Sequence, residues 1–189
     1  MDNAKQTILA VIGMPGSGKS EVVAYLKEKG LSVVRFGQIT DDGLTKGGLE
    51  INPENEKNFR EQLRSELGMA AYAIKAKPQI DERLTGKKIV AIDGLYSWEE
   101  YVYLKEEYPG LILVHVYAEP QKRYERLAIR AVRPLTLEEA RQRDVAEIEK
   151  LNKGGPIAIA DYLIENNEDS KDDLKQKIEK LLTRLEIKI

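Results

Sequence analysis

The sequence has 189 residues, which suits one domain with a substantial core, and we expect residues 1–189 to form it. A formal net charge of −2 gives no electrostatic signature of nucleic-acid binding, and the apolar runs are too short to cross a membrane. The absence of cysteine excludes disulfides, zinc–thiolate sites and thiol catalysis. With a short polar stretch before the first strand, these features predict a cytoplasmic protein without nucleic-acid or membrane partners.

Apolar runs and helical periods alternate along the chain. Strands are predicted at residues 7–12, 31–36, 88–93, 111–118 and 160–164. Helices are predicted at residues 18–29, 53–76, 97–107, 120–132, from 136 onwards, and 170–185. Residues 37–48 read as a polar, glycine-rich segment, and Pro78 is expected to limit the long helix before it. This alternation predicts an α/β fold, with a parallel sheet between two layers of helices.

Several predicted helices begin with capping residues. Ser97 and Thr136 are each followed three residues later by glutamate, which is the pattern of a capping box. Asn52 precedes Pro53, a favourable first helical residue, and Ser170 precedes the last helix.

The first strand is followed by a segment that fits the P-loop pattern G-x-x-x-x-G-K-[ST]. Its residues are Gly13, Met14, Pro15, Gly16, Ser17, Gly18, Lys19 and Ser20. The glycines allow a loop whose N–H groups point inwards and hold phosphate oxygens, together with the positive end of the next helix. Lys19 is expected to contact the β- and γ-phosphates of ATP, and the Ser20 hydroxyl to ligate Mg²⁺. The alternative is an ordinary glycine-rich turn, which the strand before it and the helix after it disfavour.

A carboxylate ends the third predicted strand. Asp93 follows four apolar residues, at the position where P-loop NTPases hold Mg²⁺ or its water. If the first and third strands are neighbours, Asp93 lies near Ser20. We therefore predict a catalytic and metal-binding role for Asp93; the alternative is a solvated acid in a turn with Gly94.

Arginines cluster after the fourth predicted strand. Arg126, Arg130 and Arg133 recur every three or four residues and are expected to share one side of a helix. Phosphoryl transfer spreads negative charge that guanidinium groups stabilise, so these arginines are predicted to be catalytic. They would belong to a helical lid, at about residues 120–150, that closes over ATP and excludes water. An exposed charged helix with glutamate partners is the alternative.

The phosphoryl acceptor is expected to bind at about residues 37–80. Arg60 and Arg64 lie one turn apart on the long predicted helix and are candidate acceptor anchors, although surface positions are the alternative. Asp41 is a candidate base in a segment that also has ordinary turn chemistry. Tyr96, just past Asp93, is a further candidate, with simple packing as its alternative.

Four segments carry a resemblance to a known family. In chain order they are the P-loop, Ile92-Asp93-Gly94, the arginine helix after residues 118–120, and Ala-Asp-Tyr-Leu-Ile-Glu-Asn-Asn at 160–167. The sequence resembles, over nearly its full length, the dephospho-CoA kinase-like, adenylate-kinase-related branch of P-loop nucleotide and nucleoside kinases. The resemblance implies five parallel strands in the order 2-3-1-4-5, a lid and an acceptor-binding region. It also implies ATP with Mg²⁺, and phosphoryl transfer to a hydroxyl or phosphate. Lys19, Ser20, Asp93 and Arg130 match positions that serve the phosphates and the metal.

One position departs from that family. Dephospho-CoA kinases carry Asp-x-Asp at the end of the second strand, where an aspartate is thought to activate the acceptor ribose. Here the residues are Phe36-Gly37-Gln38, and glutamine cannot act as a general base. Gln38 therefore marks the acceptor side, and the departure favours an acceptor that is already ionised, such as a nucleoside monophosphate, over dephospho-CoA.

The sequence thus predicts an ATP-dependent kinase that acts on a nucleotide-like small molecule. The alternative is a P-loop ATPase or nucleotide-binding switch without a small-molecule acceptor. A weaker alternative is a partner-regulated adaptor. The identity of the acceptor and the oligomeric state stay open at this point.

Overall fold

The computed structural model describes residues 6–187 and therefore leaves the polar stretch at residues 1–5 outside the description. Its centre is a parallel sheet of β1 (Thr7–Ile12), β2 (Ser32–Arg35), β3 (Ile89–Asp93), β4 (Leu111–Tyr117) and β5 (Tyr162–Glu165). The strands are ordered β2-β3-β1-β4-β5, which confirms the predicted topology. The strand bounds differ from the predicted ones by two residues at most.

The central strand β1 explains why the sheet is covered on both faces. Ile8 to Ile12 are at most 1% exposed, as expected for a strand that has a neighbour on each edge and helices on each face. Its side chains alternate, so that Ile8, Ala10 and Ile12 join one hydrophobic cluster, and Leu9 and Val11 join another. The apolar run before the P-loop is therefore the centre of the fold.

Helices cover the two faces of the sheet. They are α1 (Lys19–Glu28), α2 (Gly37–Lys46), α3 (Pro53–Leu67), α4 (Ala71–Leu84), α5 (Trp98–Glu107), α6 (Pro120–Ile129), α7 (Leu137–Glu149), α8 (Gly154–Ala158) and α9 (Lys171–Arg184). Leu26 of α1 and Ile178 of α9 pack in one cluster, and Ile80 of α4 and Leu104 of α5 pack in the other. Across residues 6–187, every helix is too short or too polar to span a bilayer.

The polar segment at 37–48 was predicted wrongly, because most of it is the helix α2. Two of its residues are buried, and the Thr40 hydroxyl lies 2.6 Å from the Tyr72 hydroxyl of α4. Gly43 lies against the ring of Phe59, and a Cβ there would lie 2.2 Å from a ring carbon. Tertiary packing therefore overrides the weak helix propensity of this segment.

The single long helix predicted at 53–76 is also wrong, because α3 and α4 are separate helices. The chain turns at Gly68, whose φ of +77° favours glycine and whose N–H donates to the Arg64 carbonyl at 2.8 Å. Pro78 does not limit a helix but lies inside α4, which runs to Leu84. The apolar period continues across the turn, so the sequence pattern did not reveal the break.

The capping predictions are confirmed. Ser97 accepts a hydrogen bond from the Glu100 N–H and Thr136 accepts one from the Glu139 N–H, and both capping boxes are complete. Asn52 caps α3 by accepting from the Asn55 N–H. These caps fix where the helices that border the candidate site begin. In addition, Ser170 caps α9.

Candidate functional site

The loop between β1 and α1 is shaped by its glycines. Gly16 and Gly18 have φ values of +78° and +96°, which favour glycine. A Cβ on Gly16 would lie 2.6 Å from the Arg123 carbonyl oxygen, and one on Gly18 would lie 2.2 Å from Asn166 Nδ2. Backbone conformation and close packing together therefore require glycine at both positions.

Three side chains brace this loop from outside. Asn166, just after β5, donates a hydrogen bond to the Ser17 carbonyl at 2.9 Å. Arg126 of α6 donates to the Asn166 carbonyl at 2.8 Å, and Arg123 donates to the Pro15 carbonyl at 2.9 Å. The resemblance motif at 160–167 contains Asn166, but its contact with the P-loop emerges only from the structure.

The polar groups of Lys19 and Ser17 in this loop are suited to binding an anion. Lys19 Nζ donates to the Met14 carbonyl at 2.8 Å, so the ammonium folds back over the loop. Burial, followed by the positive charge of Lys153, lowers the pKa of Lys19 to about 7. The Ser17 hydroxyl is fully buried and has no hydrogen-bond partner within residues 6–187. A phosphate group bound to the inward N–H groups would restore a full charge on Lys19.

Asp93 lies beside the end of β1, as expected if the first and third strands are neighbours. Its register partner is Val11, and burial raises the pKa of its carboxyl against the opposing charges of Lys19 and Arg35. In the described residues, no three His, Cys, Asp or Glu side chains gather in a metal cage. Proteins hold Mg²⁺ through one or two groups together with substrate phosphates, so a site for that ion would not need such a cage. Ser20, exposed at the start of α1, and Asp93 could supply those groups.

A cavity of about 440 Å³ adjoins the loop, and we call it the P-loop cavity. Lys19 and Ser20 line it from one side, and Arg126 and Arg130 line it from the other. Arg126 also donates to the Glu168 carbonyl at 2.9 Å. Two of the three predicted lid arginines therefore lie beside the P-loop.

The three lid arginines do not share one side of a helix as predicted. The helix α6 ends at Ile129, so Arg130 is extended and Arg133 lies in the following loop with a φ of +54°. Arg130 Nε donates to the Arg133 carbonyl at 2.5 Å. Because α6 ends early, Arg133 is directed to a second cavity.

This second cavity has a volume of about 910 Å³, and we call it the arginine cavity. Five arginines line it: Arg35, Arg60, Arg64, Arg133 and Arg143. Asp41 and Tyr96 line it as well, so four of the five predicted acceptor-side residues are brought together. The fifth, Gln38, is exposed and is not among the lining residues; its amide donates to Asp42 at 2.8 Å.

Carboxylates neutralise much of the charge in the arginine cavity. Glu56 accepts two hydrogen bonds from Arg133, at 2.8 and 3.1 Å, and one from Arg60 at 3.3 Å. The hydrogen bonds from Arg133 are the main reason that the pKa of Glu56 is lowered. Arg35 pairs with Asp41, which therefore is not a free base. An anionic ligand would compete with these carboxylates for the guanidinium groups.

Two buried ion pairs were missed by the sequence reasoning. Arg123 binds Asp144 of α7 through two hydrogen bonds, at 2.9 and 2.6 Å. Lys153 binds Glu147 and is 1% exposed. Both pairs join residues with no regular helical spacing, so no local pattern of residues indicates their burial.

Comparison with known proteins places the chain in a family. A family model described as an AAA domain matches residues 9–146. UPF0200 protein TK1334 of Thermococcus kodakarensis is 36% identical over 185 residues, covering 94% of this chain and 100% of that protein. The chain therefore belongs to the AAA-domain family and to the UPF0200 family.

Solved structures share the fold at low sequence identity. Shikimate kinase from Bacteroides thetaiotaomicron has a TM-score of 0.60 at 13% identity, covering 95% of this chain and 98% of that chain. Dephospho-CoA kinase from Campylobacter jejuni has a TM-score of 0.56 at 16% identity, covering 96% and 98%. These likenesses show a P-loop kinase-like fold.

Proposed function

We propose that this chain, a member of the UPF0200 family whose residues 9–146 match an AAA-domain model and whose fold is P-loop kinase-like, is an ATP-dependent kinase. It transfers the γ-phosphoryl group to a nucleotide-like acceptor, either a nucleoside monophosphate or dephospho-CoA. The observation that carries this proposal is the presence of two cavities that share no lining residue. One is lined by a P-loop and the other by five arginines.

The P-loop cavity is the proposed donor site. The N–H groups of residues 13–20 and the ammonium of Lys19 bind the ATP phosphates, and Arg126 and Arg130 face them across the cavity. Ser20 and Asp93 would hold Mg²⁺, which would neutralise negative charge on the ATP phosphates when bound. Lys19 and Asp93 are close enough to influence each other's pKa, which supports their assignment to one site.

The arginine cavity is the proposed acceptor site. Its volume of about 910 Å³ is near the upper end of ligand pockets, which suits a nucleotide better than a small sugar or acid. Arginine binds phosphate with two parallel hydrogen bonds, so Arg60, Arg64 and Arg133 suit an acceptor that carries phosphate. A phosphate acceptor is already ionised and needs no base, which agrees with the engagement of Asp41 by Arg35.

The segment around residues 120–150 is the proposed lid, and residues 37–80 are the proposed acceptor region. Arg133 joins the two, because it leaves α6 and binds Glu56 of α3. Closure of this contact would shield the transferring phosphoryl group from water, which otherwise hydrolyses ATP. The lid would thereby favour transfer to the acceptor over hydrolysis.

A coupled ADP-release assay tests the function. The protein is incubated with ATP and Mg²⁺ and with each nucleoside monophosphate, each deoxynucleoside monophosphate, dephospho-CoA, or no acceptor. The proposal expects ADP release that depends on one acceptor, with a phosphorylated product of matching amount. ADP release that is the same with and without every acceptor would refute it and favour an ATPase or a switch.

A further inference from the structure

A buried lysine lies next to the candidate site, outside every motif that the sequence displayed. Lys153 precedes α8 and is 1% exposed. Its ammonium is paired with Glu147 of α7 and lies 4.9 Å from the centre of the Tyr96 ring. Burial is the main cause that lowers the pKa of Lys153. An ammonium held in this way is costly to bury, and its position calls for an explanation.

The surrounding chain fixes this lysine firmly. The Lys153 N–H donates to the Glu147 carbonyl at 3.2 Å, and Asn152, with a φ of +52°, donates through its side chain to Glu99 at 2.9 Å. Gly155 lies against Trp98, and a Cβ on Gly155 would lie 2.6 Å from an indole carbon. These contacts dock α8 on α5 and direct the Lys153 side chain inwards.

Stability alone does not explain the pair of Lys153 and Glu147. A buried ion pair is often no more stabilising than apolar residues of similar volume. The charge of Lys153 also lowers the pKa of Lys19, so an anionic group bound beside the two lysines would stabilise both ammonium groups.

The pair lies between the two cavities. Lys19, which feels the charge of Lys153, lines the P-loop cavity. Glu147 and Tyr96, which contact the Lys153 ammonium, line the arginine cavity. The pair therefore has neighbours that belong to both cavities.

We propose that Lys153 is a second lysine of the phosphoryl-transfer site and donates a hydrogen bond to the transferring phosphoryl group. This inference rests on the proposed kinase function. The bond between the γ-phosphorus and the β,γ-bridging oxygen breaks, and its electron pair stays on ADP; a bond from the acceptor oxygen to the phosphorus forms. Lys153 transfers no proton and stabilises the charge on the phosphoryl oxygens.

Glu147 is able to release the lysine. It has a second cationic partner in Arg143, whose Nε lies 3.4 Å from a Glu147 oxygen. When Lys153 turns to the phosphoryl group, the carboxylate therefore keeps an ion pair. Glu147 holds the ammonium in place before the substrates arrive.

The first test compares two lysines with similar contacts. Lys77 on α4 pairs with Asp81 at 2.8 Å and lies 5.4 Å from the Tyr108 ring, outside both cavities. We expect Lys153→Met to lower kcat by about 10²–10³-fold, the loss typical of one electrostatic donor, with KM values changed less than about threefold. Lys77→Met keeps the wild-type kcat. A kcat within about threefold of wild type in folded Lys153→Met would overturn the inference.

Two additions separate this role from a structural one. In the double variant Lys153→Met/Glu147→Gln the buried carboxylate is removed together with its lysine partner, so this variant is expected to unfold near the wild-type temperature while kcat stays low. Recovery of kcat in the double variant would show that the single variant failed through Glu147, and would overturn the inference.

The last measurement does not depend on turnover. Calorimetry gives the affinity for Mg²⁺ and ADP with and without aluminium fluoride, which imitates the phosphoryl group in transfer. The fluoride should tighten binding to the wild type and to Lys77→Met, and this gain should fall at least about tenfold in Lys153→Met. Equal gains in wild type and Lys153→Met would overturn the role of Lys153. An inactive wild type in the acceptor screen would instead refute the kinase function. The gain in affinity with aluminium fluoride would still show whether Lys153 contacts the phosphoryl group.

Discussion

The P-loop cavity and the arginine cavity are built from different parts of the chain. Around the P-loop, side chains bind backbone carbonyls: Lys19 binds Met14, and Asn166 binds Ser17. In the arginine cavity, side chains bind each other, as in the contact of Arg133 with Glu56.

This contrast shows which of the two sites is fixed by local structure. The P-loop backbone has one conformation that its glycines permit, so the site is preorganised before any ligand arrives. The arginine cavity is assembled from Arg35 of β2, from α2, α3 and α7, and from the loop after α6. Several of its cations, such as Arg133 and Arg35, have carboxylate partners that a ligand would displace. We therefore expect variants on the two sides to differ in which kinetic constant changes.

The largest effect is expected at the centre of the P-loop. Lys19→Ala removes the ammonium that faces the phosphates, so kcat/KM should fall at least about 10³-fold while the protein stays folded. ADP release and circular dichroism measure the two properties. Lys27→Ala, an exposed lysine on the same helix, serves as control and should retain wild-type activity. Retained turnover in Lys19→Ala would contradict the donor-site assignment.

The next effect should appear only on the acceptor side. Arg64 has a buried Nε that lacks a hydrogen-bond partner in the part of the chain described, so it is available to an acceptor. Arg64→Gln should raise the acceptor KM about 10–100-fold, the range for a lost hydrogen bond to a charged group, without changing the ATP KM. Initial-rate kinetics with each substrate varied measure both constants.

The matched control for this variant is Arg83→Gln. Arg83 donates to the Val33 carbonyl at 2.8 Å and is outside the arginine cavity. An equal rise of both KM values in Arg64→Gln would erase the distinction between the two cavities.

The pH dependence of nucleotide affinity should belong to the donor side. The pKa of Lys19 is about 7 without ligand, lowered by burial, then Lys153, then Arg143, against Glu147 and Asp93. Below pH 7 the ammonium is charged and ready for phosphate. Above pH 7 binding must first protonate it, so affinity should fall by up to about tenfold per pH unit. Calorimetry between pH 7 and 9 measures this slope, which Lys19→Ala should lack.

The smallest effect is expected at a helix cap of the acceptor side. Asn52→Ala removes the cap of α3, the helix that carries Arg60 and Arg64, and should lower the free energy of unfolding by about 1 kcal/mol. Urea unfolding measures this change. Thr183→Ala in α9, whose hydroxyl only donates to the Glu179 carbonyl, should stay within about 0.5 kcal/mol of wild type. If Asn52→Ala were as stable as Thr183→Ala, the assignment of Asn52 as a stabilising cap of α3 would be contradicted.

The sequence predicted what local patterns encode. The P-loop, the strand that ends at Asp93 and the caps at Ser97 and Thr136 each depend on residues within a few positions, and the structure has them where expected. The helix α2 escaped prediction because its glycine and aspartates have weak helix propensity, and its stability comes from packing by Thr40 and Leu44.

The rest of the site depends on contacts distant in sequence. Arg133 reaches Glu56 across 77 positions, and Asn166 reaches Ser17 across 149. No periodicity reports such contacts. Lys153 illustrates the limit most clearly, because a lysine between asparagine and two glycines reads as an exposed loop residue, whereas in the structure its ammonium is buried against Glu147 and Tyr96.

The buried contact of Arg123 limits how substrates can enter. Arg123 holds both Pro15 of the P-loop and Asp144 of α7, with side chains only 6% and 13% exposed in the ion pair. A rigid swing of α6 and α7 together would keep this pair but would break the hydrogen bond from Arg123 to the Pro15 carbonyl, at a cost of about 1–3 kcal/mol. Residues 130–136, between the two helices, can move without breaking it. We therefore expect substrates to enter when the loop at residues 130–136 opens, on the nanosecond-to-microsecond timescale of loops, which is faster than a domain motion.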